Sequence, residues 1–425
     1  MERECRTVEY KSDLTKSYLK TVSAYANYGT GIIKFGVADD GTPSGMPDPV
    51  KTILSLENQI NDNILPNPYF QFSITPENVV ILEVQKGRNT PYCYHGKAYK
   101  RNDSATIEVD PIEFRNLVLN GQNLTFTEIP WINPHPDQQP TFHTFEKFFS
   151  DRFGMDPEYP ETMITLEIYS KESGWTNCAA MLSDQCPFCG IDIVITDSDQ
   201  RIRKRVRLEK MSVLEMITKA SEHFESEYFC EIINGLQRKT AELIPFRAFR
   251  EALVNAIVHR EWQINSFIRV EMTPSSITIL SPGGLPEGIT KDLYLSSEHR
   301  HLSILRNKTL GLTFLKLGLI ENLGSGIPLI HELYRTSATK PTFDVTDSSV
   351  AVTLPVLKET PDLQDDELHL YQMIRMYQPI SSTELLKVTG FSRTKQLALL
   401  NTLMNANYIE KIGNGRKTKY RLSGQ

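Results

Sequence analysis

Three short runs decide how this chain begins: Glu4-Cys-Arg-Thr-Val-Glu9-Tyr-Lys11, Ser23-Ala-Tyr-Ala-Asn27-Tyr-Gly-Thr-Gly31 and Phe35-Gly-Val-Ala-Asp39-Asp40-Gly41. Val8-Glu9-Tyr10-Lys11 alternates apolar and polar at period two, which predicts a strand. Leu14, Tyr18, Val22 and Tyr25 recur near helical spacing, and Tyr28-Gly-Thr-Gly31 ends that helix. Ile33, Phe35 and Val37 form the inward side of the next strand, closed by the turn Asp39-Asp40-Gly41. Further strands are expected over Tyr69–Ile74, Val79–Val84 and Tyr92–Lys100, with a short helix over Pro111–Leu119 closing a unit of residues 1–120.

Working outward, 425 residues are too many for one hydrophobic core, so several domains are expected. With 40% hydrophobic and 23% charged residues the chain falls in the soluble globular class. No run of 18 apolar residues exists, and the start, MERECRTVEYKSD, has no apolar signal core; the expectation is a cytoplasmic protein without membrane contact. Six cysteines are scattered, and the single CxxC, Cys186-Pro-Phe-Cys189, has no second ligand pair near it; reduced thiols are expected rather than a zinc site.

Glu128–Pro140 holds four prolines among polar residues and reads as part of a linker, 121–140. A mixed segment, 141–357, comes next, with a long helix expected over Ser212–Ile233 and a strongly patterned stretch over Phe246–Trp262. After a second soft boundary the tail, 365–425, has its own rhythm. Leu368–Tyr377 is a helix, Ser381 caps a second that Gly390 breaks, and Ser392–Met404 is a third. Two short strands, Tyr408–Ile412 and Lys419–Leu422, flank a basic glycine turn, which completes a winged helix-turn-helix pattern. From Ser381 to Gln425 eight Lys/Arg stand against two acidic residues, a local +6 inside a chain of net charge −6. That asymmetry is the footprint of a nucleic-acid partner, which the whole-chain charge hides.

Glu4, Glu9 and Asp39 (with Asp40 if the register slips by one) are the candidate chemistry of the first unit. Three converging carboxylates repel one another unless a divalent cation neutralises them, and such a group holds Mg²⁺ or Mn²⁺ by oxygen. Glu4 and Glu9 are five apart and share a face on neither helix nor strand, so they converge only if the chain bends around Cys5–Thr7; otherwise they are solvated acids.

The three opening runs, with Gly45, Pro91-Tyr92 and Tyr99-Lys100-Arg101, resemble the Schlafen AlbA pattern over about Glu4–Asn120. The resemblance implies an α/β nucleic-acid domain. In its RNA-cutting members the two Glu of the first motif and an Asp of the loop form the catalytic metal site, here Glu4, Glu9 and Asp39. It further implies backbone-phosphate contacts by Lys11, Lys34, Lys100 and Arg101.

In the middle segment, Phe246-Arg-Ala-Phe-Arg-Glu251-Ala-Leu-Val-Asn255-Ala-Ile-Val-His259-Arg260-Glu-Trp262 puts Glu251, Asn255 and His259 along one helix face. On spacing alone this is either a half-buried helix with a polar stripe or a site. The stretch resembles the REALxNAxxHRxY helix of the RecG-related module allied to GHKL ATPases. Ser281-Pro-Gly-Gly-Leu-Pro286, Arg306-Asn307 and Ile320-Glu-Asn-Leu-Gly324-Ser-Gly326-Ile resemble its later motifs, and Gly174-Trp-Thr-Asn177-Cys-Ala-Ala180 the helix before it. The resemblance implies a GHKL-like α/β sandwich that binds ATP through Glu251, Asn255, Gly283, Gly284, Gly324 and Gly326. Glu251 would activate water and Asn255 would ligate the magnesium of the nucleotide. Ser281 replaces the usual Asn, and no adenine-reading D-x-G-x-G is present.

In the tail, Ser392, Arg393, Lys395 and Gln396 are expected to face a DNA groove, and Arg416, Lys417 and Lys419 on the wing to meet phosphate; dimerisation or domain docking is the other use of such a unit. The expectation is an α+β multidomain protein acting on nucleic acid: a divalent-metal-dependent endoribonuclease on structured RNA such as tRNA, regulated by the nucleotide module. The alternative is a non-enzymatic, ATP-binding, DNA-binding transcriptional regulator, with homo-oligomerisation open in either case.

Overall fold

The structure is a computed structural model that describes residues 4–135, 137–234, 237–286, 289, 291–295, 304–321, 324, 326–357, 363–406, 408–413 and 418–423. Helices and sheets alternate through three units, each with its own buried core.

In the N-terminal unit, strand Val8–Lys11 pairs in parallel with Gly31–Phe35, which pairs antiparallel with Val80–Gln85; Val80–Gln85 in turn pairs antiparallel with Tyr69–Ile74. A parallel pair needs a crossover, and helix Tyr18–Tyr28 supplies it, burying Tyr18, Leu19, Val22 and Tyr25 on the sheet. A second helix, Pro49–Asn63, lies outside the expected series of strands. Asp48 caps it by accepting from Lys51 N at 3.1 Å, and Pro49 starts it where no amide proton is needed. The expected strand Tyr92–Lys100 is two pieces, Cys93–Tyr94 and Tyr99–Asn102, the latter forming a hairpin with Ala105–Glu108. Asn27 holds this region in place: its amide donates to Tyr92 O at 2.9 Å and its carbonyl accepts from Tyr92 N at 2.7 Å.

The proline-rich stretch is only partly a free connection. Asn177 N donates to Ile129 O, Asn177 Nδ2 to Phe126 O, and Trp131 N to Trp175 O, so residues 126–131 are strapped to the middle unit. The strap makes an isolated bridge, Pro130 with Thr176, and two of its carbonyls accept from Asn177 at the start of helix Asn177–Leu182.

The middle unit is a six-stranded sheet in the order 202–208, 191–196, 268–273, 276–282, 349–355, 342–345. Helices Val213–Tyr228 and Phe246–Val258 pack on one face, with Phe224 and Phe249 stacked at 4.2 Å and 12°. The helix expected over Ser212–Ile233 stops at Tyr228, and the chain turns into a strand pair, Phe229–Asn234 with Gln237–Glu242. β-Branched and aromatic residues after Tyr228 favour the extended chain over a further helical turn.

In the tail, helices Asp365–Tyr377, Ser382–Thr389 and Arg393–Asn405 precede strands Ile409–Ile412 and Lys419–Leu422, the expected order. Ser381 forms a capping box with Glu384, and Gly390 ends that helix at φ +67°. Among the described residues no helix is long and apolar enough to cross a membrane.

Candidate functional site

At the N-terminus the expected bend is present. Cys5 N donates to Val8 O and Val8 N to Cys5 O, which turns the chain at Arg6–Thr7. The bend serves a different end from gathering acids. Glu4 accepts from Tyr10 N at 2.8 Å, while Glu9, 4% exposed, is enclosed by the protein's own donors. Thr21 Oγ1 donates to Glu9 Oε2 at 2.6 Å, Arg101 Nη1 lies 2.6 Å from the same oxygen, and Lys11 Nζ lies 2.7 Å from Oε1. Arg101 is itself buried and also donates to Thr106 Oγ1 and Cys5 O. Asp39 stands exposed in the Ala38–Gly41 turn; beside it the Thr42 hydroxyl and then the Thr42 amide, which donates to Asp40 Oδ1 at 2.9 Å, hold the Asp40 carboxyl below the usual range.

Among the described residues no three His, Cys, Asp or Glu side chains come together as a metal-binding group. The residues present therefore do not fit Mg²⁺ or Mn²⁺ at Glu4, Glu9 and Asp39: both Glu9 oxygens already face cations, and Asp39 lies apart. Arg101 is likewise no phosphate contact, because burial and the Glu9 pair remove it from the surface. Lys100 pairs with Glu113 at 2.5 Å, Lys11 with Glu9, and Lys34 lies 5.6 Å over the Tyr10 ring.

The middle unit holds a cleft of about 1050 Å³, counting the space open to solvent. Its wall is the polar stripe of helix Phe246–Val258, and the far side carries Gly283, Gly284, Gly324 and Gly326, so the structure brings together all six residues expected at a nucleotide site. Asn255 Nδ2 donates to Glu251 Oε1 at 3.2 Å. Burial pushes the Glu251 carboxyl above its ordinary range, opposed by the Asn255 hydrogen bond and by Arg250. Gly326 opens helix Gly326–Leu333 directly against this pair: a Cβ there would overlap Glu251 Oε1 and lie 2.5 Å from Asn255 Nδ2. A helix N-terminus beside a carboxylate and an amide is a place for phosphate and its cation.

The Arg306-Asn307 motif is structural. Asn307 Nδ2 donates to Val258 O and Arg260 O at 2.8 Å each, closing the carboxyl end of the cleft helix. Arg306 donates to His259 O at 2.9 Å and to Gly284 O at 2.8 Å, tying that helix end to the glycine turn. His259 also lines the cleft, and burial, with Arg306 behind it, depresses its pKa to about 4, so the ring is neutral at pH 7. Ser281, where the resemblance expects Asn, donates to Ala256 O at 2.7 Å.

In the tail, Arg393 is exposed at the start of its helix. Lys395 lies 2.7 Å from Asp366 and over the Phe391 ring. Gln396 does not face outward as expected: it is 1% exposed and donates to Ser382 O at 2.9 Å. It shares a helix line with the buried Leu400 and Leu403, which places it on the core side. Arg416 and Lys417 lie outside the described residues.

Residues 4–110 match the family model described as "Schlafen, AlbA_2", and residues 265–354 match the one described as "Putative ATP-dependent DNA helicase recG C-terminal". The chain thus combines a Schlafen AlbA_2-type domain with a RecG-like, HATPase-type domain, an α+β multidomain composition of nucleic-acid-related families. No curated protein matches it. Among solved structures, the DIP2311 protein from Corynebacterium diphtheriae matches at 16% identity and a TM-score of 0.49, covering 98% of this chain and 95% of that one.

Proposed function

We propose that this protein binds nucleic acid and responds to a nucleotide held in the cleft of its middle unit. The observation that carries this reading is the cavity that Glu251, Asn255 and the glycines Gly283, Gly284, Gly324 and Gly326 line together, with Gly326 at a helix start beside the Glu251–Asn255 pair. ATP would lie along the glycine turns, with its magnesium on Asn255; bound there, it supplies a phosphoanhydride that can be hydrolysed. Glu251, kept basic by burial, is then the group that takes a proton from water. Arg393 and its neighbours, in a winged-helix arrangement, would meet the nucleic-acid backbone.

A metal-dependent endoribonuclease acting on structured RNA such as tRNA is the competing reading, and it requires Glu9 to exchange Arg101 and Lys11 for a divalent ion. Two measurements decide. Calorimetry of the full chain with ATP and Mg²⁺ should give saturable binding that Asn255→Ala abolishes; no heat with the wild type sinks the nucleotide reading. Incubation with tRNA and Mn²⁺ should leave the RNA intact; cleavage lost in Glu9→Ala would restore the nuclease.

A further inference from the structure

The N-terminal domain meets the middle unit through a small polar contact beside the cleft. On helix Pro111–Gly121, Arg115 donates to Gln263 Oε1 at 3.0 Å and Asn116 Nδ2 donates to Glu261 Oε2 at 2.9 Å. Gln263 Nε2 returns a hydrogen bond to Asn116 Oδ1. Glu261 is only 7% exposed, and its other oxygen accepts from Gln263 N at 3.3 Å. A buried carboxylate is costly unless it is hydrogen-bonded, and one of the amides that satisfies this one comes from the other domain.

The same residue is part of the cleft's frame. Glu261 N donates to Pro282 O at 2.9 Å, immediately before the glycine turn. Gly283 has φ +99°, and a Cβ on it would stand 2.6 Å from both Glu261 Cβ and Arg306 Nη1. One residue therefore separates the turn that lines the cleft from Asn116 in the N-terminal domain. Beyond Asn116 the same helix presents Glu113 to Lys100, the neighbour of Arg101, which holds Glu9.

We propose that Glu261 couples occupancy of the cleft to docking of the N-terminal domain, an inference that rests on the nucleotide reading of the cleft. With Asn116 in place the Glu261 side chain stays inward and holds the Pro282–Gly283 step in the shape that receives the ligand. Without it the carboxylate turns to water, and the turn packed against its Cβ moves with it. Coupling between two sites is reciprocal, so the nucleotide tightens the docking of helix Pro111–Gly121 as docking tightens the nucleotide.

The test uses the full chain, wild type and Asn116→Ala, with ATP and Mg²⁺ as the probe. Asn116→Ala should bind ATP about fivefold more weakly or worse, the lower end of ordinary coupling. ATP should slow amide hydrogen exchange over residues 111–121 in the wild type and leave it unchanged in the variant. Equal ATP affinities with no ligand effect on that helix overturn the coupling while leaving the nucleotide reading intact. Absence of ATP binding to the wild type overturns both. Should Asn116→Ala fail to fold, Arg115→Ala, which removes an exposed donor from the same contact, should weaken ATP in the same direction, and no change again overturns the proposal.

Discussion

Arg101 and Glu9 lie ninety-two positions apart and meet at 2.6 Å inside the N-terminal domain, each almost wholly buried. Because Arg101 also reaches Cys5 O, the pair fastens the chain's first strand to the hairpin Tyr99–Glu108. Removing one partner strands the other charge in the interior. Arg101→Ala should therefore cost about 3–5 kcal/mol, read by chemical denaturation, and Arg101→Lys should recover only part of it because one ammonium cannot make the forked contact. A loss below about 1 kcal/mol would mean that water already reaches Glu9.

Glu251 is expected to trade stability for function. Burial holds its carboxyl above the ordinary range and so penalises the charged form; Glu251→Gln, which removes that charge, should raise the melting temperature of the middle unit by about 2–4 °C, equivalent to about 1 kcal/mol. The same variant should lose ATP turnover where the wild type shows it. A melting temperature that falls would assign Glu251 to the packing.

Gly326→Ala should abolish or weaken nucleotide binding by at least about tenfold, since its methyl group would overlap Glu251 Oε1 and crowd Asn255 Nδ2 and so push that pair out of place. Circular dichroism should be unchanged. Full affinity in this variant would move the ligand elsewhere.

Acid should destabilise the middle unit through His259. Its folded pKa, about 4, lies below the unfolded value of about 6.5. The unfolded chain then binds the extra proton between those values, so this contribution is complete above about 6.5 and is lost as pH falls toward 4. Full loss is worth about 3 kcal/mol. His259→Gln should flatten that part of the pH–stability curve; an unaltered curve would show that the ring titrates normally.

At the tail, Arg393→Ala should weaken duplex DNA binding several-fold and lower the slope of log affinity against log salt by about 0.9, the share of one phosphate. Lys395→Ala should do less, because Asp366 already holds that ammonium. An unchanged salt slope for both variants would remove this helix from the interface.

Most elements whose pattern is local were legible in the sequence. The strand Val8–Lys11, the Ser381 cap and the Gly390 stop depend on neighbours within a few residues, and each stands where expected. The nucleotide-site residues also assemble, because helical spacing aligns Glu251 with Asn255 and the glycines have few other uses. Helix Pro49–Asn63 was missed although Asp48-Pro49 marks its start and Leu56 and Ile60 its buried side. What local pattern could not carry was partnership over distance. Arg101 reads as a surface cation until Glu9 is placed beside it, and Gln396 as a groove reader until Leu400 and Leu403 show which way the helix faces.

The strap of residues 126–131 bears on how such proteins could be recombined. Its carbonyls cap Asn177, and its last amide pairs with Trp175, so these residues complete the middle unit although they lie before it in the chain. Ile132, 90% exposed, looks like a natural hinge for a gene fusion. A new partner joined there would displace the strap and leave the Asn177 amide and side chain of the recipient module without their acceptors. The joint that spares both neighbours lies earlier, between the end of helix Pro111–Gly121 and Thr125, so the exchangeable middle piece carries its strap with it.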